Sequence, residues 1–130
     1  MYLLDTNILI YHFNDNIPER NIKRVNSIFK NHFNISVITK IEFLGYKGHT
    51  PQSFNEAERF LNEAKVYSLS EKIVDKVIET RRKHSIKIAD AVIASTSIIN
   101  NFTLLTRNVK DFKELEIEIF NPFSDSQRKD

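Results

Sequence analysis

Tyr2-Leu3-Leu4-Asp5-Thr6-Asn7-Ile8-Leu9-Ile10-Tyr11 reads as a strand that turns into a helix across a carboxylate. A short buried strand has only about four to eight residues before the chain must turn. Asp, Thr and Asn are residue types that end a strand and cap the helix after it. Asp5 would then sit at the carboxyl end of the first strand, beside a helix N-terminus, where open α/β sheets bind their ligands. Taken alone, Asp5 is equally well a plain helix N-cap. The neighbouring stretches separate the two readings.

Moving outward, helices and strands alternate. The first helix spans about Thr6 to Phe13 and breaks at Asn14-Asp15-Asn16 with Pro18. Ile22, Val25, Ile28 and Phe29 give Glu19–His32 a helical stripe, and Asn34–Ile38 alternates as a second strand. Thr39-Lys40-Ile41-Glu42 opens a third helix, with Thr39 as N-cap and Glu42 at N3 in the pattern of a capping box; the helix fails at Gly45 and Gly48. Thr50-Pro51 starts a fourth helix, striped by Phe54, Ala57, Phe60, Leu61 and Ala64. Val66–Leu69 is a third strand, and Ser70-Glu71 begins a helix carrying Ile73, Val74, Val77 and Ile78. Ile88–Ile99 is apolar nearly all round, with Asp90 as its one charge, which marks a buried helix. Phe102–Thr106, a helical turn at Asn108–Phe112 and Ile117–Phe120 complete the series. Strands alternating with helices imply an α/β fold with a parallel sheet covered on both faces.

Composition narrows the function classes. At 130 residues the chain is expected to be one domain over 1–123 with a polar, frayed tail at 124–130. Two Gly and three Pro argue for helices joined by short connections, against a turn-rich all-β fold. The absence of Cys removes disulfides, thiolate metal sites and Cys nucleophiles. His12, His32, His49 and His84 lack ligand-like spacing, so any metal site must be built from oxygen. A net charge of +2 permits a polyanionic partner without demanding one. With no signal-peptide pattern and no apolar run near the roughly 20 residues that cross a bilayer, the expectation is a cytoplasmic protein without a membrane partner.

Three acids interrupt apolar stretches at element starts: Asp5 after the first strand, Glu42 after the second, and Asp90 in the first turn of the buried helix. Each has a plain explanation as a cap or as a favourable charge on a helix dipole, the latter about 0.3–1 kcal/mol. Those explanations do not account for apolar neighbours on both sides of Asp90, where a buried charge must be paired or bound to a metal. Lys87 is its one nearby cation between Ser85 and Asn101. If the first, second and fourth strands are adjacent, the three carboxylates converge, and oxygen-only donors suit Mg²⁺ or Mn²⁺. Asn108 and Asp111, just after the fourth strand, are candidates for a further ligand, and each is also an ordinary loop or cap residue.

Leu4-Asp5-Thr6-Asn7-Ile8-Leu9-Ile10, Thr39-Lys40-Ile41-Glu42-Phe43, Ile88-Ala89-Asp90-Ala91-Val92-Ile93-Ala94 and Leu105-Thr106-Arg107-Asn108-Val109-Lys110-Asp111-Phe112 follow the order and rough spacing of a PIN domain. The chain resembles the VapC-like toxins of type II toxin–antitoxin systems over essentially its whole length, down to Ile119-Phe120-Asn121-Pro122-Phe123. The resemblance implies a three-layer α/β/α fold around a central parallel five-stranded sheet. It also implies a Mg²⁺- or Mn²⁺-dependent endoribonuclease that uses a metal-activated water and leaves 5′-phosphate and 3′-hydroxyl ends. Its implied partners are an RNA substrate such as a tRNA or rRNA loop, a cognate antitoxin protein and a second copy in a homodimer.

By position, Asp5, Glu42 and Asp90 match the family's metal-binding acids, Thr6 and Thr106 its hydroxyls beside the metal, and Asn7 a residue holding the first turn. Asn108 is the departure, since many relatives carry Asp there; Asn108 or Asp111 completes the site. Arg107 and Lys110 flank the site as RNA contacts, whereas Arg20, Lys23 and Arg24 read as a solvated helix face. Phe43, Leu44, Tyr46, Phe54, Phe60 and Leu61 pack a core or line a groove for an antitoxin segment. A haloacid-dehalogenase-type phosphotransferase also places Asp after its first strand, but needs a second Asp two residues on, where Asn7 stands. A catalytically weak RNA- or partner-binding module is the alternative that Asn108 keeps open.

Overall fold

Leu3 and Leu4 are both fully buried, on opposite faces of one strand, as the two-residue period of a strand requires. In the computed structural model, which describes residues 1–124, that strand is β1 (Tyr2–Leu4). It is followed by α1 (Thr6–Phe13), α2 (Glu19–Asn31), β2 (Asn34–Ser36), α3 (Val37–Leu44) and α4 (Pro51–Leu61). The second half comprises β3 (Lys65–Tyr67), α5 (Glu71–Lys83), α6 (Ile88–Asn100), β4 (Thr103–Leu105), a short 3-10 turn (Val109–Asp111) and β5 (Ile119–Phe120). The tail expected over 124–130 lies, beyond Ser124, outside the described residues.

The strands form two parallel sheets, three-stranded in the order β1-β4-β5 and two-stranded from β2 and β3. A single five-stranded ladder was the expectation, and it does not form. Between the sheets the link is a side chain: Asn34 Nδ2 donates to the Tyr2 carbonyl at 2.9 Å. The Asn34 main-chain N–H is turned instead to the His32 carbonyl. Strands of two or three residues leave little room for the main chain to make that join. Asn34→Ala should therefore cost about 1–3 kcal/mol, since a buried acceptor loses its donor. Urea unfolding monitored by circular dichroism reads this directly, and an unchanged midpoint would show that the junction does not depend on the amide.

Both faces of the strands are covered. Leu4, Leu105 and Phe120 meet Ile8, Leu9, Ile28, Phe43 and Leu61 from the early helices on one side. Leu3 and Leu104 meet Ile93 and Ala94 of α6 and Phe112 on the other. Outside α6, α5 packs through Ile73 and Val77 against Ala91 and Val92. The result is helix, strand, helix in layers, with α6 buried continuously from Ala91 to Ser97. No helix among the described residues is long and apolar enough to cross a membrane.

The start of α3 corrects one reading. The N-cap is Ser36, whose Oγ accepts from the Ile38 N–H at 3.1 Å, so β2 ends two residues earlier than Ile38 and the Thr39/Glu42 capping box does not exist. A capping box does form where Thr50 and Ser53 satisfy each other's main-chain N–H at the start of α4, with Pro51 as first helical residue.

Candidate active site

β1 delivers Asp5 to the carboxyl edge of the strands, where its N–H donates to the Leu105 carbonyl of β4 at 2.9 Å. The side chain does two jobs. Oδ1 accepts from the Thr6 N–H at 2.8 Å as an N-cap, while Oδ2 accepts from Asn7 Nδ2 at 2.9 Å and Thr106 Oγ1 at 2.7 Å. The cap and the site are therefore one residue. Asp5 is 5% exposed, and this burial, reinforced by the charges of Asp90 and Glu42, pushes its pKa up to about 6 against the pull of the Thr106 and Thr6 hydrogen bonds.

Glu42 is reached through Thr6, whose hydroxyl donates to Glu42 Oε1 at 2.6 Å. Thr39 Oγ1 stands 3.0 Å from the same Thr6 oxygen. Thr39 is fully buried and belongs to this relay between α1 and α3, a role invisible in the sequence, where it looks like a cap. Asp90, half-buried in the first turn of α6, has its pKa raised by burial first, then by Asp111 and Glu42, with Lys87 opposing. Asp5, Glu42 and Asp90 therefore lie within one another's fields, Asp111 lies within that of Asp90, and none of the four is in an ion pair among the described residues.

After β4, Thr106 Oγ1 also takes the Asn108 N–H at 2.9 Å, so one hydroxyl holds both Asp5 and the loop. The Asn108 side chain is exposed and makes no capping hydrogen bond. Asp111, not Asn108, contributes charge at Asp90. Arg107, exposed at the edge of the site, is tied into the same arrangement. Its N–H donates to Asn7 Oδ1 at 3.1 Å, Nη1 donates to the Tyr11 hydroxyl at 2.8 Å, and the guanidinium lies 4.3 Å over the Phe123 ring. Arg107 thus fastens Asn7, and through it Asp5, to the C-terminal segment. Tyr11 and Phe123 are the positioning residues that a reading of motifs passes over, because their partner lies far along the chain. Lys110 remains exposed at the mouth of an open groove.

The donor set suits a hard cation, being four carboxylates without Cys or His. Among the described residues no three His, Asp or Glu side chains close on one point. Mg²⁺ fits such an arrangement because it keeps several waters and is held by only one or two carboxylates directly. Uncompensated acids sharing one field, one of them buried, are relieved by a divalent charge.

The sequence profile of the PIN domain matches residues 2–118. A chain of a toxin–antitoxin complex from Klebsiella pneumoniae superposes with a TM-score of 0.78 at 27% identity, covering 95% of this chain and 99% of that one. A chain of VapBC2 from Rickettsia felis, bound to a DNA fragment from their promoter, gives 0.78 at 28% identity over 92% and 97%. A chain of VapBC-1 from nontypeable Haemophilus influenzae gives 0.78 at 27% over 95% and 98%. No curated protein matches the chain.

Proposed function

The chain belongs to the PIN domain family, and from that premise we propose that it is the toxin of a type II toxin–antitoxin pair, a divalent-metal-dependent endoribonuclease. The observation that carries the reading is the buried carboxylate of Asp5, raised in pKa within the field of Asp90 and Glu42 and with no Lys or Arg paired to it among the described residues. The PIN family is generally one of nucleases, and solved structures similar to this chain include toxin–antitoxin complexes.

Asp5, Glu42, Asp90 and Asp111 would hold Mg²⁺ or Mn²⁺, with Asn108 a neutral oxygen within the same loop. When bound, the cation supplies a lowered water pKa and stabilises charge developing on the phosphoryl oxygens. The chain's own part is orientation. Asn7 and Thr106 hold Asp5 Oδ2 while the Thr6 N–H holds Oδ1, Thr6 and Thr39 aim Glu42, and the Arg107 N–H holds Asn7. Hydrolysis adds water across the P–O3′ bond and needs no nucleophilic side chain, in keeping with the absence of Cys. Lys110, exposed at the rim, is placed to meet RNA phosphate.

The partner reading rests on a second feature. Phe43 and Leu61 are core, and Leu44 and Phe60 pack against it, whereas Tyr46 is 63% exposed with Ile10 and Ile41 also in solvent. Phe13, Phe43 and Tyr46 line a cavity of about 360 Å³ that opens beside Glu42. An apolar segment of an antitoxin suits that groove. A homodimer working in the cytoplasm completes the proposal.

Cleavage of total cellular RNA by the purified protein with Mg²⁺, Mn²⁺ or EDTA tests it. Discrete fragments that need metal and vanish in Asp90→Asn are the expected result. Folded, antitoxin-free protein that cuts nothing with any metal would leave a binding module instead.

A further inference from the structure

Whereas the apolar groove opens beside Glu42, another open groove is lined by Asp90 and Asp111. It has a volume of about 660 Å³, inside the range of about 300–1,000 Å³ typical of ligand sites. Two chain segments far apart in sequence build its walls. The end of α5 and the link to α6 supply Arg81, His84 and Lys87, and the stretch after β4 supplies Lys110 and Lys113. Asp90 and Asp111 stand at the same groove, so its inner end is the proposed metal site.

The cations are available. Arg81 uses Nε to donate to the Ile86 carbonyl at 3.3 Å, which pins the link, and its terminal nitrogens have no hydrogen-bond partner among the described residues. Lys87, Lys110 and Lys113 are exposed and in no ion pair among the described residues. Lys87 lowers the pKa of Asp90 and is therefore within its field. Glu114, itself exposed, stands 3.7 Å from His84 at the same groove. Ile86 and Leu115 give the same groove an apolar surface.

We propose that this groove is a subsite for single-stranded RNA, binding the backbone next to the scissile phosphate between Lys87 on one wall and Lys113 on the other. The inference rests on the nuclease reading only for the identity of the neighbouring scissile bond. Phosphate contacts are sequence-independent and hold the strand in register. Apolar surface between the two rows of cations receives a base or ribose that a duplex would keep stacked inside. Arg81 and Lys110 extend the track at its ends.

Salt dependence tests the subsite without cleavage. The affinity of the full chain for a fluorescein-labelled decamer of uridine, held in EDTA, is measured across a salt series by fluorescence polarisation. For a single strand, log K falls against log salt by about 0.7 per phosphate contact. Lys87→Gln with Lys113→Gln should therefore flatten the slope by about 1.4, while Lys30→Gln, on α2 across the strands, leaves it as in the parent. Equal slopes in the parent and the double variant overturn the proposal. So does an equal flattening by Lys30→Gln, or poly-glutamate binding the groove as tightly as the RNA. Cleavage is scored separately. A flattened slope in the double variant of a protein that cuts nothing keeps the subsite and removes the nuclease, whereas metal-dependent cleavage with an unchanged slope does the reverse.

Discussion

Asp5→Asn should lower RNA cleavage by a thousandfold or more while the protein stays folded. The substitution keeps the size of the side chain and removes its charge. A bound divalent cation contributes several kcal/mol to stabilising charge in phosphoryl transfer, and about 1.4 kcal/mol is tenfold in rate. Loss of about 4 kcal/mol is then about three powers of ten. The amide nitrogen would face the Asn7 amide and the Thr106 hydroxyl, which now donate to Oδ2, so the two residues that orient Asp5 would be disturbed as well. The structure also ranks the remaining candidates. Asp111→Asn should cost more activity than Asn108→Ala, because Asp111 acts on Asp90 while the Asn108 side chain makes no capping bond and is exposed. Single-turnover rates on one RNA at saturating Mg²⁺ measure all three. Cleavage by Asp5→Asn within tenfold of the parent would remove Asp5 from the reaction.

What could be read from the chain alone was local. Asp5, Glu42 and Asp90 announce themselves because each breaks an apolar stretch at an element start, and all three do share one field. The apolar run Tyr2-Leu3-Leu4 likewise reads as a short buried strand, and both of its leucines are fully buried. What the sequence does not show are mostly partners distant along the chain. Thr39 three residues before Glu42 has the form of a capping box, yet Ser36 caps the helix and the Thr39 hydroxyl meets Thr6. Arg107 beside the acids reads as a phosphate contact, and its exposed guanidinium also meets Tyr11 and Phe123, partners that the motif does not show. The two sheets are bridged by the amide of Asn34, which no strand pattern encodes. Periodicity shows which face a residue presents, and it says nothing of which distant side chain will meet it there.

The metal-free protein should lose stability as pH rises from about 4 to 6, and Mg²⁺ should restore it at pH 7.5 but not at pH 5. Asp5 has its carboxyl raised from the ordinary 3.8 to about 6 in the fold. Between those values the folded state holds a proton that the unfolded chain has released. Stability therefore falls with rising pH across that window and stays low above it. The gap corresponds to about 3 kcal/mol at most, and Asp90, raised in the same direction, adds to it. A cation that binds the folded state alone contributes about 2.7 kcal/mol at a hundred times its dissociation constant. For a chain of 130 residues that is roughly a 10 °C rise in melting temperature at pH 7.5. At pH 5 a proton already occupies Asp5, so the cation must displace it and the gain largely disappears. Melting in EDTA and in Mg²⁺ from pH 5 to 8 reads both effects, and Asp5→Asn should flatten the EDTA curve and abolish the Mg²⁺ shift. A melting temperature in EDTA that climbs steadily to pH 7.5, with no response to Mg²⁺ there, would show that Asp5 is an ordinary cap whose charge the fold tolerates unaided.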